Sequence, residues 1–307
     1  VIDLCKLALG WNSGDPNEEF FRWKHLENAF GNSPIWVAEE DGRLIGARVF
    51  LRWRFIEPGR GTVEAVRAVD TATHPEAQGR GIFTRLTTAA LPELLDMGVG
   101  MVFNTPNDKS RPGYLKMGWS QVGRVPISAR VASPTTFLRM AGAKSAAEKW
   151  SQPCSVGLDP SVAFSDDAET ERLLRRAAPA TGIATVRSPE YLRWRFGFTP
   201  LQYRVLPISN TLDDGVVVFR VRRRGSALEL TIADVIAPRG TSVRRTIAEA
   251  LTQTGADYAL ATSRGMLAAG LVPAPRLGPI LTWLPLGRPG IPAISDLGLT
   301  MSDIELF

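Results

Sequence analysis

The chain has 307 residues, 44% of them apolar, 22% charged and 8% aromatic, with a formal net charge of +5. At about 150 residues per domain this length suggests two domains, and the composition excludes a disordered, collagenous or disulfide-stapled chain. No run of about 18 apolar residues spans a membrane, Cys5 and Cys154 argue against a disulfide framework, and His25 and His74 alone supply a His-rich zinc site or a Ser-His-Asp triad poorly.

Residues 1–9 place apolar side chains at 1, 2, 4, 5, 7 and 8, a short core-facing helix that Gly10 ends. Asp3 and Lys6 interrupt them, so the segment lacks the apolar centre of a signal peptide. Asp15-Pro16 opens a second helix with Glu18 and Glu19 in its first turn; Phe20, Phe21, Trp23, Leu26 and Phe30 are its apolar residues and Gly31-Asn32 its stop. Strands at Ile35–Glu39 and Leu44–Phe55 flank Asp41-Gly42, a strong hairpin signal. A third strand, Thr62–Thr73, follows the turn Pro58–Gly61. The glycine turn Gln78–Gly81 leads into a helix through Asp96, closed by Gly98. Val99–Thr105 reads as strand, Ser110–Met117 as a short helix broken by Gly118, and Ser120–Val131 as a last strand pair.

Residues 132–165, rich in Pro, Ser and Ala with a helical stretch around Thr136–Trp150, read as a linker. The pattern then returns. A charged helix at Asp166–Ala178 precedes one opened by Ser188-Pro189-Glu190, whose Tyr191-Leu192-Arg193-Trp194-Arg195 repeats the character of Phe20-Phe21-Arg22-Trp23-Lys24. Strands follow at Tyr203–Ile208, Gly215–Arg222 and Ala227–Ile236, then a helix at Thr241–Thr254 and a strand at Tyr258–Ala261. A short helix ending near Gly270 and a strand at Ile280–Leu286 complete the half. The matching order predicts an internal duplication, with domains at 1–131 and 166–307. The identical pentapeptides Leu51–Phe55 and Leu192–Phe196 read as coincidence, one in a strand and the other in a helix.

The stretch Val66–Leu86 carries the chemistry. A strand runs into a turn with Gly79 and Gly81, and a helix follows at once. Unpaired amides there point outwards, the helix dipole favours negative charge, and glycine lets backbone approach a ligand without a Cβ in the way. Such a place suits a pyrophosphate, although a glycine before a helix is as readily a plain connection. The sequence Gln78-Gly79-Arg80-Gly81-Ile82-Phe83, preceded by Thr73-His74-Pro75-Glu76, resembles the acyl-CoA-binding signature of the GNAT superfamily of N-acyltransferases. Strand Met101–Thr105, leading through Asn107 to Tyr114-Leu115-Lys116-Met117-Gly118-Trp119, is similar to the family's Tyr-x-x-x-Gly-aromatic helix end. The departure is Phe83, where the family has Gly or Ala: it either narrows the cradle or points into the core.

The resemblance implies an α/β (α+β) fold of two tandem GNAT-like domains, each a mixed, mainly antiparallel sheet flanked by helices. It implies an N-acyltransferase that uses acetyl-CoA or another acyl-CoA, without a metal, and moves the acyl group to a primary amine. Main-chain groups at Ala72 and Thr73 would hold the pantetheine arm, the amides of Gln78, Gly79, Arg80, Gly81, Ile82 and Phe83 the pyrophosphate, with Arg80 adding charge. Asn107 would face the pantetheine or the thioester, and Tyr114 matches the family's general acid. An alkylamine is mostly protonated at neutral pH, so a base or a water chain must deprotonate it. Glu64 and Asp70 stand six residues apart on one strand, and on one face if no bulge intervenes; either is the candidate base, with a solvated or hydrogen-bonded strand end as the alternative for each. His74 reads as part of the turn before Pro75.

The second half lacks both motifs. Its turn reads Pro238-Arg239-Gly240-Thr241-Ser242-Val243, and Met266 stands four residues before Gly270, where Tyr114 stands before Gly118. One catalytic and one degenerate domain are therefore expected. The competing class is a catalytically silent acyl-CoA-binding or ligand-sensing protein. The expected acceptor is a small-molecule amine, with a protein lysine as the alternative. Scattered basic residues argue against nucleic acid, no membrane partner is expected, and the remaining expectations are a cytoplasmic location and a monomer with a pseudo-dimeric core.

Overall fold

In the computed structural model, which describes residues 1–142, 145–177, 182–263, 266–288 and 290–305, the first half runs α1 (Ile2–Leu9), α2 (Asn17–His25), β1 (Ile35–Glu40), β2 (Arg43–Glu57), β3 (Gly61–Thr73), α3 (Ile82–Asp96), β4 (Met101–Asn104), α4 (Arg111–Lys116), β5 (Ser120–Arg124) and β6 (Ile127–Val131). The helices α5 (Phe137–Gly142), α6 (Pro160–Ala163) and α7 (Asp167–Arg176) come next. The rest is β7 (Ala184–Thr185), α8 (Pro189–Gly197), β8 (Arg204–Pro207), β9 (Val216–Arg224), β10 (Ala227–Ile236), α9 (Arg244–Thr254), β11 (Tyr258–Thr262), β12 (Val272–Pro273), β13 (Ile280–Pro285) and α10 (Met301–Ile304). No helix is long and apolar enough to cross a membrane among the described residues.

Local chemistry explains most boundaries. Asp41 and Gly42 both take positive φ (50° and 74°), which matches the strand twist and closes the β1–β2 hairpin. Helix α2 ends at His25 rather than at Gly31, because the Asn28 side chain bonds to the Phe30 amide and the Arg52 carbonyl and turns the chain. Leu51–Phe55 lies in β2 and Leu192–Phe196 in α8, so their identity has no structural counterpart. The end expected for the charged helix, Ala178, lies outside the described residues, and residues 266–270 form turns rather than the short helix expected there.

One sheet has the order β1-β2-β3-β4-β13-β5, with β7 paired to β2; the other has β8-β9-β10-β11-β6-β12. Both follow one rule: the third and fourth strands are parallel and every other neighbouring pair along these orders is antiparallel. The duplication is thus visible in topology. Each sheet takes its fifth strand from the far half of the sequence. Ser120–Val131 is accordingly not a strand pair: β5 bonds to β13 and β6 to β11, with Val125-Pro126 between them. The compact units follow this exchange rather than the contiguous division at 1–131, 132–165 and 166–307. The first comprises Val1–Arg124, Gly182–Val186 and Pro279–Leu297, and the second Val125–Thr181, Arg187–Gly278 and Gly298–Phe307. Residues expected to be linker pair inside the second unit, where the Gln152 amide bonds to Val221 and Leu158 to Val205.

In the first unit α3 packs closely on β2. A Cβ on Gly46 would sit 2.5 Å from Ile82 Cγ2, so glycine there lets the start of α3 approach the end of β3, which pairs Thr73 with Gly46. Phe50, Val66, Ala68, Ala90, Leu94, Val99, Val102, Tyr114 and Trp119 fill that face, while Leu4, Cys5, Ala47 and Ala72 pack on the α1 face.

The second unit buries a charged network instead. Glu305 accepts from Arg220 (2.6 Å) and lies 3.0 Å from Arg222, and Tyr203 donates to it at 3.0 Å. Burial alone would push this carboxyl up; Arg220 and Arg222 outweigh burial and hold it down to about 2. A carboxyl so depressed stabilises the fold above its unfolded value of about 4.3, and that contribution is lost as pH falls towards 2. Urea midpoints between pH 5 and 2.5 are therefore expected to fall less steeply in Glu305→Gln than in the parent; equal slopes would remove Glu305 from the acid response.

Candidate active site

Strand β3 is parallel to β4 only over Ala65–Arg67 against Met101–Phe103. From Ala68 to Thr73 its β4 side carries no ladder among the described residues, leaving main-chain donors and acceptors for an extended ligand. The β2 side shifts register between Ala47 and Val49, and Asp70 adopts φ 43°. This bulge sends neighbouring side chains to different places. Asp70 meets α2, where Lys24 Nζ lies 2.7 Å and His25 Nε2 2.8 Å from Oδ2. Thr71 meets Arg48 of β2.

At the end of β3 the chain enters the glycine turn. His74 Nδ1 accepts from the Glu76 amide (3.3 Å) and caps the short turn Pro75–Ala77, as expected of a turn residue. Gly79 and Gly81 have φ 77° and 73°, and open space lies where their Cβ atoms would be. Gly81 is the N-cap of α3, and no cap-residue side chain bonds to the first-turn amides. The amides of Ile82, Phe83 and Thr84 thus have no intrahelical partner, at the positive end of a helix of 15 residues. Arg80 is exposed and ion-paired with Glu40 (2.9 Å from Nη1 to Oε2).

Phe83 points inward. Its ring lies 5.3 Å from that of Tyr114, edge-on, and a Cβ on Gly113 would come within 2.9 Å of it. Of the two readings of this residue, the structure shows the core one. Tyr114, on α4, is 4% exposed and also packs edge-on against Trp119 at 5.4 Å. Its hydroxyl accepts from Arg48 Nη1 at 2.8 Å.

Asn107 is exposed and holds the entry to this helix: Oδ1 accepts from the Lys109 (3.1 Å) and Ser110 (2.9 Å) amides. Glu64 lies elsewhere. It pairs with Arg54 (2.6 Å), and six residues of strand at ~3.3 Å each put it roughly 20 Å from Asp70. The two carboxylates expected to share a face are separated by that distance, and the bulge breaks their register. The structure therefore groups Ala72, Thr73 and Gln78–Phe83 at one end of β3, sets Tyr114 against Phe83, turns Asp70 towards α2 and leaves Glu64 remote.

Burial alone would push the Asp70 carboxyl up, but the charge of Lys24 and the hydrogen bond from His25 outweigh it and hold it well below the usual carboxylate range. Burial pushes His25 down, so it is neutral near pH 7. Arg48, Lys24 and His25 were not among the residues expected at the site. Among the described residues no group of three or more His, Cys, Asp and Glu is placed to hold a metal ion.

Residues 1–122 match a family model described as an acetyltransferase (GNAT) domain. Among solved structures, a GCN5-related N-acetyltransferase from Anabaena variabilis aligns with TM-score 0.62 at 16% identity, covering 93% of this chain and 69% of that one. A conserved protein from Enterococcus faecalis, described as a probable N-acyltransferase, gives 0.63 at 12%, with 93% and 69% covered. Eis1 from Mycobacterium abscessus gives 0.55 at 17%, with 93% and 70% covered. At such identities what is shared is the fold. No curated protein sequence matches the chain.

Proposed function

We propose that this chain, whose residues 1–122 belong to the acetyltransferase (GNAT) domain family, transfers a short acyl group from an acyl-CoA to a primary amine in its first unit. One observation carries the reading: the uncapped α3 amides come just after two left-handed glycines and the unladdered end of β3, and α3 packs on the same sheet face as Tyr114. The residues fit the group. Amides of Gly79 to Thr84 would hold a diphosphate, with no Cβ at Gly79 or Gly81 to obstruct it, and the unladdered edge of Ala68–Thr73 would hold the pantetheine arm.

When bound, the acyl-CoA supplies a thioester carbonyl open to direct attack. Tyr114 gives its proton to the departing sulfur, and main-chain amides near Thr71–Thr73 face the developing oxyanion. Asp70, held as a carboxylate by Lys24 and His25, is a weak base, and Glu64 is roughly 20 Å from Asp70 by strand rise. We therefore assign neither of them the amine proton, which leaves through water.

The test is intact mass spectrometry of ligands carried by the purified chain, then acetyl-CoA with a panel of aminoglycosides, amino acids, polyamines and lysine peptides, read by thiol release. Turnover with any amine supports the reading. No acyl-CoA held and none consumed overturns it, and binding without turnover leaves a silent acyl-CoA binder. Gly81→Val is expected to raise KM for acyl-CoA about tenfold with a smaller effect on kcat. A β-branched residue at φ 73° is strained by ~1–2 kcal/mol, and its methyls cover the amides. An unchanged KM would remove the cradle from the site.

A further inference from the structure

We infer that Arg48 is a positioning residue for acyl transfer, acting through the Tyr114 hydroxyl; the inference rests on the reading just given. Arg48 stands on β2 across from the Asp70-Thr71 bulge and is 0% exposed. Its Nη1 donates to Tyr114 Oη at 2.8 Å and to Thr71 Oγ1, while Nε and Nη2 have no partner among the described residues. Its charge rests among ring faces: the guanidinium carbon is 4.5 Å from the centre of Phe50, 5.3 Å from Tyr114 and 5.6 Å from Phe83. Those contacts repay only part of the cost of burying a cation with two idle donors. A methionine would fill the same space without that cost, so packing does not account for the charge.

Function does. A guanidinium donates and never accepts, so the Tyr114 oxygen receives a hydrogen from Arg48 and must turn its own away. No described residue accepts that hydrogen, which leaves it free for a leaving group. In the step itself the amine nitrogen bonds to the acyl carbon and the carbon–sulfur bond breaks. The sulfur takes the Tyr114 proton, and the phenolate left behind is held by Arg48. The proton lost by the nitrogen passes to water, and solvent reprotonates Tyr114.

The second sheet is an internal contrast. It has its own bulge, between Ile232 and Asp234, but Val218 and Phe219 stand across from it, and Met266 replaces the tyrosine by sequence spacing. Among the described residues no arginine faces that bulge from the paired strand; Arg187 meets Asp234 at 2.7 Å instead, and the tyrosine is absent at the matching spacing.

Four full-length variants test the inference: Arg48→Met, Arg48→Lys, Tyr114→Phe, and Arg48→Met with Tyr114→Phe. Arg48→Met is expected to lower kcat about tenfold or more while KM for acetyl-CoA stays within about threefold, and Arg48→Lys to recover part of the loss. If Arg48 acts through Tyr114, the double variant is no slower than Tyr114→Phe alone; multiplied losses, or an unchanged kcat in Arg48→Met, overturn the inference. A second readout needs no turnover. The chain has four tyrosines, and the difference between the parent and Tyr114→Phe isolates the Tyr114 phenol in an ultraviolet phenolate titration. The absorbance step that Tyr114→Phe removes should move to higher pH in Arg48→Met and less so in Arg48→Lys. An unmoved step sinks the role of Arg48, whereas a moved step in a chain that consumes no acyl-CoA sinks only the transferase reading.

Discussion

Tyr114→Phe is expected to lower kcat for acyl transfer by about 10²- to 10⁴-fold and to leave acyl-CoA affinity nearly unchanged, the range typical of losing a general acid. The prediction is sharp because the ring and the oxygen have separable jobs. The ring packs against Phe83 at 5.3 Å and Trp119 at 5.4 Å, contacts that phenylalanine keeps. The oxygen touches only Arg48 among the described residues, at 2.8 Å, and nothing in the glycine turn. Binding through the α3 amides should therefore survive. Losing the acceptor leaves Arg48 with a further unmet donor, which costs about 1–3 kcal/mol of stability and not the fold. Steady-state kinetics with CoA titration and a thermal melt separate these effects. A thioester with an intrinsically good leaving thiol should restore much of the rate, since its sulfur needs no proton. A variant that turns over acetyl-CoA at the parental rate would move the acid role to another group.

The sequence made the glycine turn, the Tyr114 helix and the element order legible, because each is a local pattern: φ-permissive residues before a helix, or a periodic apolar face. Pairing partners were not local. Ile127–Val131 and Ile280–Pro285 read correctly as strands, yet nothing within either segment says which sheet it joins, and both join the sheet of the opposite half. Arg48 escaped for a related reason. In the run Ala47-Arg48-Val49-Phe50 an arginine looks like the solvated face of a half-buried strand, but α3 and α4 cover that face and leave it 0% exposed. The available signal was the missing alternation: Val49, Phe50 and Leu51 are consecutive apolar residues, as in a strand covered on both sides. Glu64 and Asp70 were placed on one face by counting residues, and the bulge at Asp70-Thr71 made that count fail.

That bulge sets up the second large effect. Asp70→Asn is expected to destabilise the first unit by about 3–5 kcal/mol, because it strips the counter-charge from Lys24, whose side chain is only 4% exposed. Asparagine tolerates positive φ much as aspartate does, so the backbone at φ 43° is kept and the charge alone is tested. The sign with pH follows from the depressed carboxyl: its stabilisation is full above the unfolded value of about 3.9 and is lost as pH falls. The variant should therefore be much weaker than the parent at pH 7 and converge on it in acid. His25 passes the loss on, since its Nε2–H donates to Asp70 while Nδ1 takes the Ser33 hydroxyl hydrogen at 3.0 Å. Urea unfolding at pH 7 and pH 3 measures the gap and the start of its narrowing, because a carboxyl this depressed still carries its charge in the folded chain at pH 3. Adding Lys24→Met to Asp70→Asn should recover part of the loss, because an ion pair replaced whole costs far less than one left half-made. If the single variant unfolds at the parental urea concentration at pH 7, Asp70 is not what pins the bulge. Thr71, and with it the Arg48–Tyr114 pair, would then owe its position to the β2 ladder alone.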